Sequence, residues 1–274
     1  MTGKLALNWT PDKDNLVYAF VARGYKPGGS NSQTSEFGPE TDTDYEIGWK
    51  SAFLDNHINM QIGGFYTKYY GFQLDAIDPN TGQTGVANIS NATIKGFELQ
   101  GQARLSGFTL DGGLAYVDSN LKQVTIVNTR ILPGAPGTLG PQCPAGTPSN
   151  PPVCFDYGPY FGEAGGGPNL YSPKWSYNIG VQYEAQLGND MTLTPRLNYA
   201  YIGPRWTNFF YNRTTDYLKG RGLVTGLLTL RKGKWTLEAY GNNLLNKKYV
   251  SGQFINAEFY GAPREYGVRA AVRF

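Results

Sequence analysis

The chain has 274 residues, of which 16% are charged and 14% aromatic, and a formal net charge of +3; soluble domains average roughly 25% charged residues. So slight a charge carries neither a nucleic-acid footprint nor an acidic tail. No apolar run approaches the roughly 18 residues of a spanning helix, and the opening "MTGKLALNWT" lacks the apolar core of a secretory signal.

What recurs is strict period-2 alternation. It predicts strands over residues 4–10 and 16–25, joined by the polar turn "PDKDN" (11–15), then over 43–53 and 58–70, joined by "LDNH" (54–57). "TIKGFELQGQARL" (93–105) sets Phe97, Leu99, Ala103 and Leu105 against Glu98, Gln100, Gln102 and Arg104, and "SG" (106–107) connects it to 108–118. "WSYNIGVQYEAQ" (175–186) and "MTLTPRLNYAYI" (191–202) alternate in the same way around "LGND" (187–190). Segments 222–231 and 235–243 flank "KGK" (232–234), and 264–274 alternates up to Phe274. These are eleven strands, several of 10–13 residues, against a mean of about 5–6.

The other connections, 26–42, 71–92, 119–174, 202–221 and 244–263, are long, so short and long strictly alternate. In an up-and-down meander this gathers tight turns at one end and large loops at the other, as in transmembrane β-barrels. Residues 132–169 hold nine of the 17 prolines and nine glycines, so this stretch is expected to lack regular structure. Cys143 and Cys154, the only cysteines, lie in it. A local disulfide in an oxidising compartment is expected, the alternative being two free loop thiols. His57, the single histidine, is too distant in sequence to build a metal site with them and reads as a solvated turn residue.

Two environments fit alternating strands. A soluble sandwich buries its apolar faces between sheets; a membrane barrel turns them to lipid and keeps the polar face in a lumen. Strand length favours the barrel, since a tilted crossing takes about 9–11 residues. The polar positions also favour it. Glu46, Lys50, Glu98, Gln100, Arg104, Glu184, Arg196, Glu238, Arg269 and Arg273 are mixed charges and amides suited to a wet interior. Trp9, Trp175, Trp235, Tyr69 and Tyr70 cluster near strand ends, as interfacial girdles do. In lipid only a helix or a closed barrel pairs every backbone group.

Three stretches resemble the C-terminal half of TonB-dependent outer-membrane receptors: "LVYAFVARGYKPGGSN" (16–31), "FGPETDTDYEIGWKSAFLDNHINMQIGGFYTKYYGFQ" (37–73), and "LEAYGNNLLNKKYV" (237–250) with "YGAPREYGVRAAVRF" (260–274). The resemblance implies an all-β, antiparallel up-and-down transmembrane β-barrel, in which about eleven strands here correspond to the second half of a 22-stranded plugged barrel. Residues 1–274 are thus expected to be a partial barrel domain, without the plug and first half, and the odd strand count fits that expectation. A terminal aromatic resembles the signal read by the outer-membrane insertion machinery. The implied function is TonB-energised uptake of a scarce bulky nutrient, most often a ferric siderophore, sometimes cobalamin or an oligosaccharide. Implied partners are outer-membrane lipid, the small-molecule ligand, and the TonB complex through a region outside the chain. A plugless porin-like barrel and a secreted carbohydrate-binding β-sandwich are the alternatives.

No catalytic constellation, metal set or cofactor motif is expected. "GYKPGG" (24–29) lacks the phosphate-loop spacing, and the strand carboxylates alternate with amides and cations as lumen polarity. Ligand contacts are expected from outward-facing loop residues: Phe155, Tyr157, Tyr160 and Phe161, then Arg205, Trp206, Phe209, Phe210 and Tyr211. Aromatic rings with a cation suit stacking on a catecholate or sugar ring. The alternative is that these rings anchor the loops against each other.

Overall fold

Period-2 segments rich in Tyr, Val, Phe and Thr favour extended, pleated backbone, and each tight polar turn returns the chain antiparallel. A computed structural model describes residues 2–32, 35–254 and 257–274. Eleven strands follow one another: β1 (Gly3–Asp12), β2 (Asn15–Lys26), β3 (Glu40–Phe53), β4 (Ile58–Asp78), β5 (Gln83–Leu105), β6 (Phe108–Leu121), β7 (Trp175–Tyr183), β8 (Met191–Ile202), β9 (Arg221–Lys232), β10 (Trp235–Asn242) and β11 (Glu265–Val272). Each pairs antiparallel with the next in chain order, and β1 and β11 are the edges of one sheet. A short strand, Ala185–Gly188, continues β7 along β8. The ladder is interrupted between Tyr183, which the register sets opposite Pro195 with no N–H to donate, and Ala185.

Register gives the sheet two unlike faces. One row runs Trp9, Val17, Trp49, Ile62, Leu99, Leu114, Tyr177, Tyr201 across β1 to β8. The adjoining row contains Lys50, Gln61, Gln100, Gly113 and Asn178. The apolar face is open to its surroundings: Trp9 is 61% exposed and Ile179 48%. The polar face lines a hollow of about 770 Å3 bordered by Lys50, Gln61, Gln100, Gln102, Asp111 and Asn178. The expected inward carboxylates and cations share this face. On it Arg196 grips Asp111 with two bonds of 2.7 and 2.8 Å, Arg269 pairs with Glu238, and the Tyr18 hydroxyl donates to Glu46 over 2.6 Å. Gly180 makes room for the Arg196–Asp111 pair to cross β7, since a Cβ there would sit 2.4 Å from Arg196 Nη2. Among the described residues no second sheet packs on the apolar face, so the sandwich reading fails: the apolar side chains face outward, as in a wall set in lipid.

Three expectations need correction. Residues 71–92 are mostly strand rather than loop. β4 and β5 climb past the wall as a tall hairpin closed at Asp78, whose carbonyl accepts from Gly82 N at 2.8 Å. Alternation persists there through Leu74 and Ala76, paired with Ala87 and Gly85, and Gly71, at φ +65°, absorbs the irregularity between Tyr69 and Phe72. Second, Tyr69 leaves the outward aromatic set. It pairs with Asp42 and Ala92 on the inner face and packs against a loop cluster, whereas Trp9, Trp175, Trp235 and Tyr70 do face outward. Third, the Pro/Gly-rich stretch, irregular over most of its length as expected, does carry some regular structure. Val124–Val127 pairs with Phe161–Ala164, a 3-10 turn covers Gly158–Tyr160, and Cys143 is bonded to Cys154.

His57 lies in an exposed turn, its Nδ1 2.6 Å from Leu54 O, and β11 ends at Val272, two residues short of the last alternating position.

Candidate ligand-binding loop cap

Among the described residues the wall has no buried apolar core of its own. The two clusters of buried apolar residues both lie at its long-loop end: Ile77, Val127, Leu139, Phe155 and Tyr157 in one, Ala92, Leu121, Ala164 and Phe209 in the other. They hold the loops after β6 and β8 over the tall β4–β5 hairpin, and the loop after β10 joins this cap through hydrogen bonds.

Within the β6–β7 loop, the disulfide and a turn centred on the Asp156 carboxylate fix the chain. Asp156 Oδ1 accepts from Gly158 N at 3.0 Å and from Gln142 Nε2 at 3.1 Å, and these bonds hold its carboxyl below the usual range, the backbone bond most. Tyr157 donates to Gly140 O at 2.9 Å, and burial raises its phenol above the ordinary value. The Phe155 ring lies edge-on to Tyr157, centroids 5.0 Å apart, and 5.1 Å from Tyr160.

In the β8–β9 loop, Arg205–Trp206 pairs with Tyr217–Leu218, and the Trp206 indole meets Tyr211 and Tyr217 edge-on at 5.4 and 5.0 Å. Tyr211 donates to Pro168 O at 2.8 Å. Burial pushes its phenol up to about 12, a backbone bond with Gly167 opposing. Phe210 packs over Gly162, beside Phe161, and so brings the two sets of rings together.

The nine expected contact residues therefore divide. The structure turns Phe155, Tyr157 and Phe209 inward into the two clusters, because these are the rings available to seal the cap from water. Arg205 is also buried, at 6% exposure. Phe161 is exposed, and Tyr160, Trp206, Phe210 and Tyr211 are half-buried along the cap surface.

Several ties had no signal in the sequence. Asp216, fully buried, accepts from Arg130 and, at 2.9 Å each, from Thr215 Oγ1 and Asn212 N. The bond from Tyr171 Oη to Gln253 O at 2.8 Å and that from Thr207 Oγ1 to Gln253 Oε1 at 3.2 Å join all three loops. Arg221, at the start of β9, lies over the Tyr249 ring at 4.4 Å. A cation at an inward strand position next to the Arg205 loop was the one readable hint among these.

This geometry is a polar-lined wall with a knitted aromatic cap, suited to holding a bulky, partly aromatic or anionic molecule. Comparisons with known proteins agree with the fold. A protein described as a probable TonB-dependent siderophore receptor, PiuA of Acinetobacter baumannii, is 29% identical over 133 residues, which is 44% of this chain and 17% of that protein. Among solved structures, the ferric yersiniabactin uptake receptor FyuA of Yersinia pestis superposes with a TM-score of 0.73 at 18% identity, covering 100% of this chain and 37% of that one. The crystal structure of PiuA gives 0.69 at 20% identity, over 98% and 35%. The chain thus spans well under half the length of these relatives. The model of the TonB-dependent receptor-like β-barrel matches residues 1–244, and the chain belongs to this family of bacterial outer-membrane proteins.

Proposed function

We propose that the chain supplies the wall and outer loops of a receptor that imports a ferric siderophore with energy from the TonB complex, that complex acting through a region outside residues 1–274. The observation that carries this reading is the family match over residues 1–244 on a wall whose long loops are knitted into an aromatic cap. In it the outer membrane's lipid meets the apolar face, and the ligand meets the cap. Phe161, Trp206, Phe210, Tyr211 and Tyr160 offer ring faces to the ligand, Arg205 offers charge, and Phe155, Tyr157 and Phe209 fix these positions from beneath. Aromatic anchors of this kind commonly contribute about 2 kcal/mol or more each to binding.

The test uses the receptor containing this chain. Bacteria carrying it are grown under iron limitation on a panel of ferric siderophores, and affinity is read by tryptophan quenching in detergent. Growth restored by one siderophore, with affinity lowered tenfold or more by alanine at Phe161, Trp206 and Phe210 together, is the expected result. Growth that ignores every siderophore overturns the function; unchanged affinity overturns the contact set.

A further inference from the structure

Two arginines under the cap each keep enclosed donors that no acceptor meets. Arg205 is 6% exposed. Its Nη2 donates to Ser251 O at 3.0 Å, while Nη1 is shut off from solvent without a partner. Arg221 Nε and Nη1 are likewise enclosed and unpaired, with the guanidinium laid over the Tyr249 ring. Neither side chain has a carboxylate within ion-pair distance among the described residues. The contrast with Arg130 is direct, since its acid, Asp216, is folded in beside it. Burial, and then the positive charge of Arg221, lowers the pKa of Arg205, so the two cations disfavour each other.

Buried polar groups in native proteins are almost always partnered, and an orphan points to something missing. A guanidinium stays charged and cannot relieve the problem by losing its proton. The need is met by an anion that accepts from both forks. With planar donors on an aromatic floor, the match is a planar oxyanion held in a fork-to-fork manner.

We infer that Arg205 and Arg221 form a binding pair for a carboxylate of the imported ligand, beneath the hairpin of Val250–Phe254 and Ala257–Tyr260. This rests on the receptor reading above and narrows it to chelates that carry a free carboxylate. The hairpin is joined to the pair through the bond from Arg205 Nη2 to Ser251 O.

The receptor containing this chain, in detergent, is titrated with ferric citrate, with the hydroxamate chelate ferrioxamine, which has no carboxylate, and with inorganic phosphate, using tryptophan fluorescence. Expected are tight ferric citrate binding, a loss of tenfold or more in R205Q and in R221Q, an intermediate loss in R205K, and ferrioxamine binding that is weak in the wild type and unchanged in every variant. Iron-free citrate raises the unfolding temperature of the wild type but not of R221Q, which keeps the test available if R205Q does not fold. The inference falls if citrate affinity survives both substitutions, if both chelates weaken together, if phosphate competes as well as citrate, or if the wild type binds no carboxylate. Arginine-dependent binding of iron-free citrate without binding of any ferric chelate would keep the anion pair and remove the siderophore reading. Chelate binding indifferent to both arginines would do the reverse.

Discussion

Wall and cap handle apolar surface in opposite directions. Along β3 to β8 the large side chains Ile47, Ile62, Leu110 and Ile179 stand outside, 40–61% exposed, and the strands meet one another only through hydrogen-bond ladders and neighbouring side chains. In the cap, Leu121, Tyr157 and Leu218 are sealed to 2% or less, and backbone groups find partners across distant loops. On the receptor reading proposed above, lipid covers the wall, so a core is not needed there; water meets the cap, so the cap must build one. Stability therefore rests on different interactions in the two regions, and substitutions should separate them.

The largest expected effect is in the cap. Asp216→Asn removes the one acid paired with Arg130 among the described residues and leaves a largely buried cation uncompensated, which costs about 3 kcal/mol. Limited proteolysis should then cleave the loops after β6 and β8 while the wall keeps its resistance to denaturation; cleavage of both regions together would show that they unfold as one unit.

Next comes a paired comparison within β7. Ile179→Arg puts a charge on the lipid face at mid-strand and costs about 2–4 kcal/mol, whereas the same change at a lumen position is tolerated. Asn178→Arg, one residue earlier and on the polar face, should leave the unfolding midpoint in detergent and lipid unchanged. Equal costs at both positions would overturn the assignment of the two faces.

The smallest effect sharpens the picture of the cap's interior. Tyr211→Phe deletes the bond to Pro168 O, a loss of about 1 kcal/mol. Because burial holds the folded phenol at about 12 against a usual value of 10.0, the contribution of the neutral hydroxyl is complete below pH 10 and fades between pH 10 and about 12. Cap melting followed with pH should show that decline in the wild type and not in Tyr211→Phe.

Most of the wall was legible. Trp175 to Tyr183 alternate so cleanly that strand, face and neighbours follow from periodicity, and "LDNH" and "KGK" mark their turns without help from the rest of the chain. The misreadings lie where the pattern meets the cap. The β4–β5 hairpin was cut short because Gly71 interrupts the alternation, and Tyr69 was set outward because ring chemistry alone does not tell a girdle from an inward packing residue. In the candidate site, sequence picked out the aromatic-rich loops but not which rings would be sealed. Phe155 and Phe161 look alike in sequence; one is 5% exposed and the other 42%.

Local alternation and turn chemistry determined by themselves the eleven-strand meander, its two faces and the end to which the long loops go, because a pleated strand places side chains by parity alone. Only tertiary structure decided the cap: Arg130 finds Asp216 from 86 residues away, Tyr171 finds Gln253 from 82, and Arg205 comes to lie with Arg221 without an acid. Contacts of that range depend on how loops collapse over one another to exclude water, and no short window of residues carries that information.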